Sequence, residues 1–174
     1  EMIRAPAGSA AAYPADALPN QTYSQRQKNF YLNGQAIEML WQPAAHSDAD
    51  SVVFFRRSDV VVTGAVFDVT RFPVIDMANG GSAQGEIDAL NRLLNLVVPV
   101  TPLGWESGGT LVIPGRGRLC EQAELVQYRD MLTIIRDRIQ DLIRRGDTLQ
   151  QIIAANPTAG YTARYGSSTG PWTT

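Results

Sequence analysis

The sequence predicts a mixed α/β fold in which one sheet is covered by helices on one side. Two hairpin patterns come first, at 29–42 and 51–64, and two amphipathic helical patterns follow, with a short apolar strand between them. Strand pairs followed by helices that alternate with a strand are typical of a mixed sheet with its helices on one face. The opposite face of such a sheet then has to pack against something other than the chain's own helices.

The two hairpins are predicted from their turns and their apolar arms. In the first, Asn33 and Gly34 separate two β-prone runs, which is a strong signal for a two-residue turn, and Pro43 ends the second run. In the second, the residues at 57–59 form the turn between continuous apolar arms. Continuous apolar arms predict strands that are buried on both faces.

Helical spacing predicts the rest of the core. The first helix, at 82–98, has a stripe formed by Ile87, Leu90, Leu94 and Val97. A short buried strand follows at 110–113. The longest helix, at about 121–145, has a stripe formed by Leu125, Tyr128, Leu132, Ile135, Ile139 and Leu142. Asp147 and Gln150 resemble a capping box for a last short helix at 148–155.

Composition narrows the function classes. The 174 residues are 44% hydrophobic with a formal net charge of -2, which fits one globular domain and gives no sign of nucleic-acid binding. Cys120 is the single cysteine, so an internal disulfide or a multi-cysteine metal site is excluded. The longest run that is both uncharged and apolar-leaning, at 93–105, is too short to span a bilayer. No signal peptide is visible, but the chain opens on Glu1 rather than Met, so this observation does not indicate where the protein is located.

Three loops that follow predicted strands hold the candidate site residues. The first loop contains His46, Asp48 and Asp50, the second contains Ala65, and the third places Arg116 between two glycines. We expect the three loops to converge at one edge of the sheet. Asp48 and Asp50 can act as bases, although bonding to backbone N–H groups of the loop is the role we favour.

Together these loops resemble the second half of the metallo-β-lactamase superfamily, in particular its glyoxalase-II-like and hydrolase-like members. The stretches are HSDAD from His46, TGA up to Ala65, and PGRG around Arg116, against H-T-D-G-D, T-G-D and P-G-H-G in those proteins. The resemblance extends through the flanking strands and helices from about residue 29 to 155. It implies an αββα sandwich, of which this chain would supply mainly the C-terminal sheet and its helices.

The resemblance also implies a metal site, from which this sequence departs. His46 would bind the first metal, but the metal-bridging aspartate is replaced by Ala65 and the second-metal histidine by Arg116. Ala65 offers no donor atom, and an arginine stays cationic. The chain has one histidine, so the H-x-H-x-D-H loop of the family's first half is absent. A catalytic zinc ion normally takes three protein ligands.

Two of these candidates have both a structural and a functional interpretation. His46 is a metal ligand or, as we favour, a residue kept for hydrogen bonds within its loop. Arg116 replaces the missing cation and pairs with Asp48 or Asp50, or it is simply exposed.

Three other features carry weaker signals. Cys120 stands where a helix begins, which can lower a thiol pKa, but a residue without chemical consequence is the interpretation we favour. The glycine-rich stretch at 80–85 could cradle an anion but lacks the P-loop pattern, so we interpret it as a loop. The last set of residues shares an aromatic character and could dock a partner or pack locally: Trp105, Tyr161, Tyr165 and Trp172.

Three functional hypotheses follow. The first, which we favour, is a non-catalytic, metal-degenerate protein that serves as a structural or interaction subunit and needs no cofactor. The second is a metal-dependent hydrolase of an ester, thioester or lactam, whose single zinc ion would be held by His46 and by ligands from an upstream half. The third is an anion-binding domain that uses Arg116.

The favoured hypothesis also sets expectations for domains, partners and location. We predict an extension at 1–28, a half-sandwich domain at 29–155 and a surface tail at 156–174. A protein partner or a missing N-terminal half would cover the open sheet face. The resemblance favours a periplasmic or secreted location, and the sequence leaves the cytoplasm open.

Overall fold

The structure, a computed structural model, describes residues 23–101 and 108–166. These residues form one five-stranded sheet whose strands lie in chain order. The first four strands pair antiparallel, and the fifth pairs parallel with the fourth. The strands are β1 (Gln27–Leu32), β2 (Gln35–Gln42), β3 (Asp50–Phe55), β4 (Val60–Val62) and β5 (Leu111–Ile113). The predicted mixed sheet is confirmed.

Both predicted hairpins form. Asn33 and Gly34 make the first turn with φ angles of 50° and 74°. A two-residue hairpin turn of type I′ requires positive φ at both residues, which is why Asn-Gly is favoured there. The second hairpin turns through 56–59, so its turn begins one residue earlier than predicted. Asp59 has a φ of 50° in this turn, and its carboxylate accepts a hydrogen bond of 2.9 Å from the hydroxyl of Thr110.

The predicted helices form with small shifts at their ends. They are α1 (Ala83–Leu96), α2 (Gln122–Arg144), α3 (Leu149–Ala155) and a short α4 (Thr162–Tyr165), with 3-10 turns at Gly64–Val66 and Met77–Asn79. The side chain of Ser82 caps α1 by accepting a hydrogen bond from the backbone N–H of Gly85. The capping box of α3 consists of Thr148 and Gln151 rather than the predicted Asp147 and Gln150. Both pairs have suitable residues three positions apart, so the sequence left the start of α3 ambiguous by one position.

The hydrophobic core lies between one face of the sheet and the two long helices. The sheet contributes four buried apolar side chains to this core: Val52 and Phe54 from β3, Val61 from β4 and Val112 from β5. The helices contribute Ala89, Leu90 and Leu93 from α1, and Leu125, Tyr128 and Met131 from α2. Leu94 and Leu132, which we predicted in the stripes, are only partly buried at the margin of this core. The helices are thus rotated slightly from the predicted orientation, because the packing between α1 and α2 decides which side of each stripe is innermost.

The prediction of a C-terminal surface tail is wrong at Tyr165. We predicted a surface tail from residue 156 onward, but the side chain of Tyr165 is only 4% exposed. Its ring lies 5.6 Å from that of Tyr128 and 5.9 Å from that of Phe72. Tyr161 is partly buried beside the same core. For these two aromatics the interpretation of local packing is supported, whereas Trp105 and Trp172 lie outside the described residues.

The second face of the sheet, which we call the outer face, is mostly apolar. Because paired residues share a face and neighbours along a strand alternate, the register assigns its members. Its apolar members are Phe30, Leu32, Ile37, Met39, Trp41, Val53, Phe55, Val60, Val62, Leu111 and Ile113. Lys28, Gln35 and Ser51 lie on the same face. Phe30, Leu32 and Leu111 are exposed and most of the others are half-buried. The prediction that the β3–β4 hairpin is buried on both faces is therefore wrong for the outer face.

Among the described residues, no helix is both long enough and apolar enough to cross a bilayer.

Candidate functional site

The three loops meet at one edge of the sheet, as predicted. A Cβ atom on Gly64 would lie 3.7 Å from the carbonyl oxygen of Ser51, which lies at the start of the strand after the His46 loop. A Cβ atom on Gly115 would lie 2.2 Å from the carbonyl oxygen of Gly64 and 3.4 Å from the backbone nitrogen of Ala65. The third loop thus rests directly on the second, and only a glycine permits that approach.

His46 is half-buried and holds two segments together. Its Nδ1 donates a hydrogen bond to the carbonyl of Val74, and its own carbonyl accepts one of 2.8 Å from the backbone N–H of Asp76. With Nδ1 carrying the proton, Nε2 is the ring atom left for any other ligand. These contacts agree with the interpretation that we favoured, in which His46 is kept for the hydrogen bonds of its loop.

Asp48 and Asp50 both serve the shape of their loop. The exposed Asp48 donates from its backbone N–H to the carbonyl of Asn79, and its carbonyl accepts a 2.7 Å hydrogen bond from the indole of Trp41. The Asp50 carboxylate accepts hydrogen bonds of 2.5 and 3.3 Å from the backbone N–H and hydroxyl of Ser47. Burial raises the pKa of Asp50, against the lowering effect of those hydrogen bonds.

Arg116 does not pair with Asp48 or Asp50, which corrects that hypothesis. Among the described residues its side chain is exposed and forms no ion pair. Its backbone instead forms a β-bridge with Asp68, and its carbonyl accepts a hydrogen bond of 3.4 Å from the backbone N–H of Val69. This bridge fixes the path of the loop and leaves the guanidinium in solvent. Ala65 is also exposed.

Asp68 is a carboxylate of this edge that the sequence analysis did not single out. It is 6% exposed as a residue, and its side chain accepts hydrogen bonds from the backbone N–H and hydroxyl of Thr70 at 2.8 and 2.6 Å. It also pairs with the guanidinium of Arg71 at 2.7 Å. These partners use its lone pairs to stabilise the turn after the second loop. An aspartate two residues before a threonine is a recognisable turn signal, but nothing local shows that it is buried.

Glu86 is the second residue that the sequence analysis did not identify, because an acidic residue in the first turn of a helix normally faces water. Here it is 1% exposed, and neither carboxyl oxygen has a hydrogen-bond partner among the described residues. Burial, and then the negative charge of Asp50, raise the pKa of Glu86 to about 9. The carboxyl group is therefore neutral at physiological pH.

The glycine-rich start of α1 is explained by close backbone approach. A Cβ atom on Gly81 would lie 2.0 Å from the carbonyl oxygen of His46, and one on Gly85 would lie 1.8 Å from that of Ala44. Ser82 adds hydrogen bonds from its backbone N–H to the carbonyls of Ala44 and Ala45 at 3.0 and 3.1 Å. The first turn of α1 is thus clamped to the His46 loop, and the stretch at 80–85 has a packing role in this fold.

We expect Cys120 to be nearly inert towards thiol reagents in the folded chain. It is 1% exposed, its Sγ donates to the carbonyl of Arg118 at 3.2 Å, and burial raises its pKa. Since the thiolate is the reactive form, alkylation by iodoacetamide at pH 8 is expected to be at least about 100-fold slower than in urea. A rate close to that of the unfolded chain would show that this part of the core opens readily.

The residues at this edge do not fit the metal ion that the family resemblance implies. Within the described ranges, no three His, Cys, Asp or Glu side chains come together in a way that could hold a metal. His46 offers one ring nitrogen, Asp50 is engaged by Ser47, and the positions of Ala65 and Arg116 supply no ligand atom. A three-ligand zinc site cannot be assembled from these groups.

No protein-family model matches this sequence, and no curated protein is significantly similar to it.

Solved structures do show a similar fold. A stereoselective inverting sec-alkylsulfatase, Pisa1 from Pseudomonas sp., is 15% identical with a TM-score of 0.62, over 79% of this chain and 22% of that chain. A metallo-beta-lactamase family protein from Thermus thermophilus is 16% identical with a TM-score of 0.54, over 75% of this chain and 40% of that one. A metallo-beta-lactamase from Pontibacter korlensis is 19% identical with a TM-score of 0.52, over 67% of this chain and 50% of that one.

The chain therefore has a metallo-β-lactamase fold across the region matched, as its loops suggested. It spans half or less of each of these three chains. A fold shared at such low identity does not carry an activity with it, so function has to be argued from the site.

Proposed function

We propose that this chain is a non-catalytic member of the metallo-β-lactamase fold class that acts as a structural or interaction subunit. One observation supports the proposal: the three loops meet at one edge, but no three His, Cys, Asp or Glu side chains of the described residues come together in a way that could hold a metal. The loops are held by backbone contacts among Gly64, Gly115 and the His46 loop, none of which needs a metal. This edge is thus built from hydrogen bonds and close packing.

We expect the purified chain to retain much less than one zinc ion per molecule after exposure to zinc and dialysis. One imidazole on a loop is a weak ligand, because zinc affinity in proteins comes from several donors held together. Elemental analysis measures the content, and His46→Ala is the matched control. Equal, low zinc in both proteins is the expected result.

The alternative function predicts the opposite outcome. If the chain is part of a zinc hydrolase whose other ligands come from an upstream half, the longer gene product binds zinc in a one-to-one ratio and His46→Ala reduces it. Zinc would then lower the pKa of a bound water and supply a hydroxide nucleophile for an ester, thioester or lactam. That result would overturn the non-catalytic proposal.

The outer face is the surface on which the proposed subunit role depends. Exposed Phe30, Leu32 and Leu111 lie on the same face as half-buried side chains from β2, β3 and β4. A contiguous apolar face of this kind marks an interaction surface, because leaving it in water costs free energy. We propose that an apolar surface covers it, supplied by an upstream half of the same gene product or by a separate protein.

Intact-mass measurement of the natively expressed product distinguishes these two covers. A mass near the 19.0 kDa of this chain would require a separate protein, whereas a much larger mass would favour an upstream half. A periplasmic or secreted location remains part of the proposal, and fractionation of the native host tests it. A monomer of this mass that stays soluble and binds no apolar dye would contradict the proposed use of the outer face.

A further inference from the structure

We propose that the proton on Glu86 controls the contact between α1 and the His46 loop. When Glu86 is a neutral acid, the first turn of α1 packs against this loop, and ionisation of Glu86 separates the turn from the loop. The conformation of the loop depends on this proton whether or not the chain is catalytic.

The carboxyl group of Glu86 lies in the interior of the fold. Glu86 is 1% exposed, and no donor among the described residues reaches either carboxyl oxygen. Moving a carboxylate into such surroundings without a hydrogen bond or a cation is very costly, so the packed state requires the neutral acid. The raised pKa of Glu86, about 9, agrees with this geometry.

Neighbouring elements place a negative charge, that of Asp50, close enough to Glu86 to affect its pKa. Burial is the largest cause of the raised pKa of both Glu86 and Tyr128; in addition, Asp50 at the start of β3 raises the pKa of Glu86, and Glu86 raises that of Tyr128 on α2. Asp50 itself interacts with the charges of His46 and Asp76. A second negative charge beside Asp50 therefore pushes against the loop that contains it, with no ion pair to Glu86 among the described residues to offset it.

A mechanical connection joins Glu86 to the loop. Glu86 directly follows Gly85, whose backbone touches the carbonyl of Ala44, and Ser82 bonds to the same loop. A displacement that brings Glu86 to water must therefore separate this turn from the loop. The released state also has a favourable term, because an ionised carboxylate in the first turn of an exposed helix interacts well with the helix dipole.

Trp41 offers a local reporter of this release. Its indole nitrogen donates a 2.7 Å hydrogen bond to the carbonyl of Asp48 in the same loop. In a background with Trp105→Phe and Trp172→Phe, tryptophan emission reports on Trp41 alone. A pH titration from 6 to 10 can then follow the loop, while far-ultraviolet circular dichroism follows the fold.

We expect the emission of Trp41 to change with a midpoint near pH 9 while the circular dichroism stays constant. Glu86→Gln is expected to abolish the change, because glutamine has no proton to release in this range. Asp50→Asn is expected to move the midpoint to lower pH, because removing the charge that repels the carboxylate of Glu86 favours its ionisation.

Hydrogen exchange gives the second readout. One pH unit above the midpoint, amides at 44–50 and 81–90 should exchange at least about tenfold faster than in Glu86→Gln at the same pH, and amides of α2 should not. The proposal fails if Glu86→Gln shows the same emission change, if no change occurs by pH 10, or if the circular dichroism is lost together with it.

Discussion

Gly85→Ala is expected to destabilise the chain by about 3 kcal/mol or more, or to prevent folding. In an exposed helix this substitution would stabilise by about 1 kcal/mol, because alanine is the better helix former. Here the new Cβ atom would lie 1.8 Å from the carbonyl oxygen of Ala44, which belongs to the backbone and cannot rotate away. The steric term therefore exceeds the helix propensity, and α1 must shift off the loop.

Urea unfolding followed by circular dichroism measures the effect. Gly160→Ala is the matched control, since a Cβ atom on Gly160 meets nothing within 4 Å, and its stability is expected to change by less than about 0.5 kcal/mol. Gly81→Ala should resemble Gly85→Ala, because its Cβ atom would lie 2.0 Å from the carbonyl oxygen of His46. Wild-type stability in Gly85→Ala would show that α1 and the loop are not in contact.

The second large effect is the pH dependence that Glu86 confers on stability. The unfolded chain releases this proton near the usual pKa of 4.5, whereas the folded chain keeps it until about pH 9. Between these values the folded state binds more protons, so rising pH favours unfolding. The contribution of Glu86 to the free energy of unfolding is expected to fall by about 3 kcal/mol between pH 5 and pH 7.

Glu86→Gln isolates this term, because glutamine keeps the size of the side chain and carries no charge. The variant should unfold at nearly the wild-type urea concentration at pH 5 and at a clearly higher one at pH 7 and 8. The difference in slope between the two proteins belongs to Glu86, since all other titrating groups are shared. Parallel stability curves from pH 5 to 8 would mean that Glu86 is solvated or paired in solution.

The order of the elements followed from local patterns. The Asn33–Gly34 turn, the two long amphipathic helices and the short strand before α2 are all present where periodicity and turn chemistry placed them. These patterns are reliable because hydrophobic spacing and positive φ angles depend on residues close together in the chain. The convergence of the three loops at one edge was expected because each loop follows a predicted strand, and the resemblance to a known fold agreed with it.

The site was predicted only in part. The residues named from the sequence do lie on loops that meet, but the expected pairing of Arg116 with an aspartate does not form. The bridge between Arg116 and Asp68 fixes the path of that loop, and it joins positions far apart in sequence. The sequence predicts which loop contains a side chain, but it does not predict the direction in which that side chain points.

Turn signals and hydrophobic periodicity were enough to predict the strands and the helices, and the sequence itself gives the single histidine, because none of these requires knowledge of contacts. Three features emerged only from the folded chain: Glu86 is buried without a described partner, Gly81 and Gly85 touch a loop far away in the sequence, and Tyr165 enters the core. Each depends on how closely two distant backbones approach. Local propensities do not encode that distance, since it is set by the packing of the whole sheet against its helices.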